Sequence, residues 1–234
     1  MVMRIAHNYG NSRHRLALAL QGPVDYIEAD VWYHGGRLVV RHEHKLGPLP
    51  ILFDEKPEDP DERGPGRCGL ALGRWYVKLQ KSARYLEEVL AAVHDSCCVT
   101  VDVKGGRCGR QFAFARDLAQ AVCLAGMADK VMFCGQNWPA LRDLQVIAPD
   151  LHVHYSIGDK RQLDAFGRLH QEEIPRGVNL HRSLVDAQLV GVLKQQGLAI
   201  WVWTVDDLAR AGELVTTGID GIISNRLDVL AALG

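Results

Sequence analysis

Short apolar runs alternate with helix-patterned segments along most of this chain, and that alternation constrains the fold more than any other feature. The runs are Met3–His7, Tyr26–Trp32, Val99–Lys104, Val131–Cys134, Leu151–Ser156, Val178–Leu180, Leu198–Thr204 and Ile219–Ser224. The first precedes a helical stretch at Ser12–Leu20, closed by Gly22 and Pro23. The second passes through Gly35-Gly36 into Leu38–Arg41, a hairpin arm, and a helical pattern resumes only at Ser82–Val93. From there helices at 112–124, 139–147, 162–169, 185–195, 208–216 and 227–233 follow the strands one by one. Strands separated by helices pair in parallel, and eight such units close into a (β/α)8 TIM barrel. A doubly wound open sheet is the alternative, but it carries a Gly-rich phosphate loop after its first strand, and none stands there. The expectation is one barrel domain over residues 1–234 with a short insertion after the second-strand hairpin, a long loop or small insertion at about 45–80. Residues 46–73 hold five of the nine prolines and a dense charge mixture. The acidic run Asp54–Glu62 inside it reads as a solvated loop face.

Composition narrows the function classes. The 234 residues are 47% hydrophobic and carry 27 Lys+Arg against 28 Asp+Glu. That balance suits a packed globular chain and not a disordered one. A net charge of −1 lacks the basic excess of a nucleic-acid binder. No apolar run approaches the ~18 residues of a membrane span, and Met1–Gly10 has no apolar core for a secretory signal. A cytoplasmic protein with reduced thiols is the expectation. Of the six cysteines, Cys97 and Cys98 are adjacent and no Cys-x-x-Cys pair exists, which argues against structural zinc. Cys97, Cys98 and Cys134 sit in apolar stretches and read as small core residues.

The chemistry of a (β/α)8 barrel lies at the C-terminal ends of its strands. The first strand ends in His7-Asn8. The second carries Glu28 and Asp30, and its hairpin arm runs into Arg41-His42-Glu43-His44. The third ends in Asp102-Val103-Lys104, the seventh in Trp201-Val202-Trp203-Thr204 and the eighth in Ser224-Asn225. Residues two apart on a strand share a face, so Glu28 and Asp30 point one way, and Asp102 and Lys104 likewise. Three carboxylates gathered at one barrel mouth repel one another, and a divalent cation, Mg²⁺ or Ca²⁺ from the all-oxygen donor set, is the simplest remedy. Lys104 balances the remaining charge as a phosphate approaches. His7 and His42 titrate near neutrality and suit a general base and a general acid. Trp203, at its strand end, is placed to stack on a ligand.

These residues, in this order, resemble the glycerophosphodiester phosphodiesterase family and the related venom phospholipase D (sphingomyelinase D) enzymes. The family pattern opens with a strand-one His, matched by His7. It continues with Glu28-Ala29-Asp30-Val31, then a His after a short interval, matched by His42. An acidic residue two before a Lys follows, here Asp102-Val103-Lys104. Trp203-Thr204-Val205 and Gly218-Ile219-Asp220-Gly221-Ile222 complete it. The resemblance implies that Glu28, Asp30 and Asp102 bind the metal and that His7 and His42 are the acid/base pair. It also implies that Lys104 contacts the phosphate and that Trp203 lines the substrate pocket. Family enzymes use a substrate hydroxyl or water to attack phosphorus and expel an alcohol. His7 is assigned the base role and His42 the acid role, an order that the sequence leaves open. The family's His-Arg-Gly is His7-Asn8-Tyr9 here, and Arg13, Arg41 and Lys78 are candidate replacements for the Arg.

The expected activity is hydrolysis of small glycerophosphodiesters. Two other readings stand beside it: a phospholipase D-like activity on lysophospholipids, and a catalytically silent barrel that binds phosphate-containing ligands. His152 and His154, and Asn179 and His181, alternate on the fifth and sixth strands, where hydrogen bonding inside the barrel is the leading reading. Nothing in the sequence sets an oligomeric state.

Overall fold

The computed structural model describes residues 2–46, 49–55, 70–73, 75–79, 83–105 and 111–234. The chain begins with β1 (Met3–Ala6), α1 (Arg13–Ala19), β2 (Tyr26–His34) and β3 (Arg37–Val40). Next come β4 (His44–Lys45), β5 (Ile51–Glu55), β6 (Leu70–Leu72) and β7 (Trp75–Leu79). Strand and helix then alternate through α2 (Leu86–Val93), β8 (Cys98–Gly105), α3 (Gln111–Leu124), β9 (Val131–Cys134) and α4 (Trp138–Ile147). The rest is β10 (His152–Ile157), α5 (Lys160–Phe166), β11 (Gly177–His181), α6 (Ala187–Gln195), β12 (Ala199–Trp203), α7 (Leu208–Thr216), β13 (Gly221–Ser224) and α8 (Leu227–Ala231).

Eight of these strands pair in parallel in the order β1-β13-β12-β11-β10-β9-β8-β2, and β1 also pairs with β2, which closes the barrel. The strand edges that would otherwise be left unpaired are thereby used up. Side polar groups set where the helices begin. Asp159, Asp186 and Asp207 accept from the backbone N–H three residues on, at 2.7–2.8 Å, and so cap α5, α6 and α7.

The alternation on each strand divides the core in two. Outward-pointing Ile27, Ala29, Val31, Val99, Val101 and Val103 are buried beneath the helices. Inside the barrel, Ile5, Met132, Cys134, Trp201 and Ile223 form a separate plug against Tyr26 and Trp203. Trp201 fits there because Gly221, on the adjacent strand, has no side chain: a Cβ at that position would stand 2.6 Å from the indole. His154 and Asn179 also point inward, buried, with His154 Nδ1 3.0 Å from Asn179 Oδ1. That agrees with the expected internal hydrogen bonding. His152 is exposed and pairs with Arg176 instead.

The loop or small insertion expected at about 45–80 holds a second, antiparallel sheet, β4–β7, in the order β4-β5-β7-β6. Its register puts Phe53, Trp75, Val77 and Leu79 on one face, and Leu52, Asp54, Tyr76 and Lys78 on the other. Phe53 stacks on His44 and meets Trp75 edge-on, with ring centroids 5.4 and 5.5 Å apart. Among the described residues, no helix is long and apolar enough to cross a membrane.

Candidate active site

The strand ends converge as their spacing requires. Glu28 and Asp30 on β2 lie beside Thr100 and Asp102 on β8, in direct register. One oxygen from each of Glu28, Asp30 and Asp102 lies within 4.8 Å of the others. Glu28 and Asp30 are buried, and Asp102 is partly exposed. Gly135, at the end of β9, leaves the room: a Cβ there would stand 2.9 Å from Asp102 Oδ1.

Lys104 is inserted among these acids. Its Nζ donates to Asp102 Oδ2 and lies 2.6 Å from Asp30 Oδ1. The other oxygen of Asp30 accepts from Asn11 Nδ2, and the Asp30 amide donates to Asn11 Oδ1 at 2.9 Å. Glu28 Oε2 accepts from the Asn8 amide at 2.5 Å. Asn8 reaches that oxygen from a left-handed backbone, φ 63°, one of the few conformations Asn tolerates better than most residues.

Crowding decides the charges. Burial, and then Asp30 and Asp102, push the Glu28 carboxyl well above its usual range. Burial raises Asp102 as well, against the pull of Lys104. Burial acts upward on Asp30 too, but Lys104, His42 and His7 outweigh it and hold that carboxylate below its ordinary value. Lys104 loses by burial and gains more from Asp102, Asp30 and Glu28, so its ammonium is held far above the usual lysine range. A cation among these oxygens would take the place of protons.

The two histidines flank the cluster in contrasting environments. Burial depresses His7 to about 4, so its imidazole is neutral at pH 7. Its Nδ1 lies 3.0 Å from Asn225 Oδ1. The Asn225 amide is oriented by Asp206, whose Oδ2 accepts from Asn225 Nδ2 at 2.8 Å. A carboxylate only accepts, so Asn225 must present its oxygen to His7. His7 therefore carries its proton on Nδ1 and keeps the Nε2 lone pair. His42 is the opposite case. Burial would lower it, but Asp30 and Asp54 outweigh burial and raise it above its ordinary value. Asp54 Oδ2 is 2.8 Å from His42 Nδ1.

Asp54 thus corrects the reading of Asp54–Glu62 as a solvated face: its side chain is 14% exposed and engaged with His42. Residues 56–62 of that run lie outside the described residues. Asp54, Asp206 and Asn11 were not singled out by the sequence. Each acts through a partner far along the chain, and only Asp54 carried a local hint, its position two residues from Leu52 on a strand-like run.

A cavity of about 1680 Å³ opens over the cluster. His7, Glu28, His42, Asp102, Lys104 and Trp203 all line it. Trp203 is half-buried, donates from Nε1 to the Asn179 carbonyl at 2.9 Å and meets His181 edge-on. The candidate replacements for the missing Arg are engaged elsewhere. Arg41 Nε donates to the Glu43 carbonyl, Lys78 pairs with the Glu43 carboxylate, and Arg13 pairs with Glu88.

Residues 79–229 match the glycerophosphoryl diester phosphodiesterase family. A glycerophosphodiester phosphodiesterase of Arabidopsis thaliana is 26% identical over 141 residues, 60% of this chain and 43% of that protein. This chain therefore spans less than half the length of that relative. A Bacillus subtilis protein, provisionally named a glycerophosphodiester phosphodiesterase, is 22% identical over 232 residues, 91% of this chain and 87% of that one. Among solved structures, an Oleispira antarctica phosphodiesterase in complex with its product sn-glycerol-3-phosphate superposes with a TM-score of 0.75 at 18% identity. The match covers 99% of this chain and 96% of that one.

Proposed function

Because the chain belongs to the glycerophosphoryl diester phosphodiesterase family, a family of phosphoric diester hydrolases, we propose that it cleaves small glycerophosphodiesters to an alcohol and glycerol phosphate. The observation that carries the reading is the pairing of a three-carboxylate cluster with two histidines of opposite proton affinity on one cavity wall.

Glu28, Asp30 and Asp102 would hold a divalent cation. The donor set is all oxygen, with one oxygen of each acid within 4.8 Å of the others, which suits Mg²⁺ or Ca²⁺. When bound, such an ion polarises the phosphoryl oxygens. Lys104 adds a fixed positive charge beside the phosphate, where negative charge builds up as the attacking oxygen bonds to phosphorus. His7, neutral with its Nε2 unprotonated and 3.2 Å from Asn8 Nδ2, takes the proton from the attacking water or substrate hydroxyl. His42, whose proton Asp30 and Asp54 hold more tightly than an ordinary imidazole's, gives a proton to the departing alkoxide as its P–O bond breaks. One proton is taken and one given, so the histidines finish in exchanged states and reset through solvent. Trp203 forms the cavity face against which the organic part of the substrate rests.

A lysophospholipid substrate is the second reading. Leu79, 69% exposed, and Leu18, 43% exposed, line the same cavity and supply an apolar lip. A substrate panel tests both, with soluble glycerophosphodiesters and lysophospholipids assayed with Mg²⁺, with Ca²⁺ and with chelator. The expected result is metal-dependent release of alcohol from the soluble diesters. His7→Ala and His42→Ala should each reduce turnover by at least ~10²-fold. Near-normal rates in both variants would remove the histidines from the chemistry, and turnover unchanged by chelator would remove the metal.

A further inference from the structure

The wall of the cavity between the start of α1 and the segment entering α2 is basic, with Arg13 and Arg84 both lining it. Arg84 is half-buried, and its Nε and Nη1 are buried with no hydrogen-bond acceptor among the described residues. Among the described residues, the one carboxylate that acts on Arg84 is already used. Glu88 Oε2 accepts from Arg13 Nη2 at 2.8 Å, and Glu88 Oε1 accepts from the Tyr85 amide at 3.3 Å. A guanidinium withdrawn from water without an acceptor is costly, and its planar fork of N–H donors matches a carboxylate or a phosphate. Two arginines against one glutamate leave this wall with a net positive charge.

The catalytic acids do not neutralise it. The electrostatic neighbours of Arg84 are Glu88 and Arg13, whereas those of Lys104 are Asp102, Asp30 and Glu28. The arginine wall and the carboxylate cluster are therefore separate centres of opposite sign in one cavity. A scissile phosphodiester seated over the cluster leaves the arginine wall facing another part of the substrate. In a glycerophosphodiester the glycerol is uncharged, so any second anionic group belongs to the alcohol.

We infer that Arg84, backed by Arg13, is a specificity subsite for an anionic group, a carboxylate or a phosphate, on the alcohol half of the diester. This rests on the diesterase reading above. The matched test compares glycerophosphoserine with glycerophosphoethanolamine, which differ by one carboxylate. Wild-type protein should favour glycerophosphoserine in kcat/KM. Arg84→Gln should reduce that preference by ~10-fold, the range for one lost charge-assisted contact, and Arg84→Lys should restore part of it. A thermal melt checks that each variant folds. A preference unchanged by Arg84→Gln, or an equal loss on both substrates, overturns the subsite. If neither diester is hydrolysed, the diesterase reading fails and the subsite is still tested, by calorimetric titration of glycerophosphoserine into chelator-treated protein. Binding ~10-fold weaker in Arg84→Gln supports the subsite, and equal binding sinks it.

Discussion

Asp54→Asn keeps the size of the residue that holds His42 and one acceptor oxygen, and removes its charge. The two side chains lie 2.8 Å apart and are 14% and 29% exposed, so solvent screens the pair only in part. A hydrogen bond between charged groups contributes about 1.5–3 kcal/mol when formed. Asp30 still supports the imidazolium, so the lower end of that range is the part expected to be lost. A change of about 1.4 kcal/mol is one pKa unit. An imidazolium that has lost an anionic partner gives up its proton at lower pH. The basic limb of the kcat/KM profile should therefore move about one pH unit toward acid, with roughly tenfold lower activity on its far side. The raised pKa also predicts a stability difference. The pair stabilises the fold at low pH, where His42 is charged in folded and unfolded chains alike, and the contribution fades as pH rises through the raised value. The gap between wild type and variant in urea unfolding should close toward alkaline pH. A basic limb that stays in place, or a loss of activity uniform across pH, would refute the role given to Asp54.

Glu28→Gln tests the metal site without relying on turnover. The Glu28 carboxyl is pushed well above its usual range, and glutamine mimics its protonated form. The chelator-treated variant should melt no lower than wild type, while the stabilisation that millimolar Mg²⁺ or Ca²⁺ gives wild type should shrink sharply. Equal stabilisation of both proteins would take Glu28 out of the ligand set. His154 is depressed by burial from 6.5 to about 4. The unfolded chain binds the extra proton across that interval, so stability should fall as pH drops from 6.5 toward 4, with an upper bound of about 3 kcal/mol. His154→Gln should show a shallower fall in denaturant titrations, and an identical slope would show that the buried imidazole is not the cause.

The barrel strands were legible because each is a short apolar run whose outward residues, such as Val99, Val101 and Val103, must pack beneath helices. The strand-end acids were legible for a related reason. Glu28 and Asp30, and Asp102 and Lys104, are charged residues at period two inside such runs, where charge is otherwise costly. The small sheet β4–β7 was not legible. Its strands are two to five residues long, and proline and acidic residues between them mask the alternation that Trp75–Leu79 alone displays. Asp54 was hidden with it, since its partner lies across a strand pairing rather than along the chain. Asp206 was hidden by distance: it meets Ser224 and Asn225 through side chains, 18 and 19 residues on. Arg84, with two buried nitrogens that find no acceptor among the described residues, was not legible because an arginine near a helix start reads as a solvated side chain.

The small antiparallel sheet has a bearing on how such enzymes diversify. Its inner face supplies both a boundary of the binding space, through Leu52 and Lys78, and Asp54, one of the two anions that raise His42. Exchanging this module between relatives to obtain a new headgroup preference would thus retune proton transfer in the same stroke. A chimera carrying a donor sheet without an acid in register with Tyr76 should recognise its new ligand and turn it over slowly, so selection for substrate range and selection for rate act on one piece of chain.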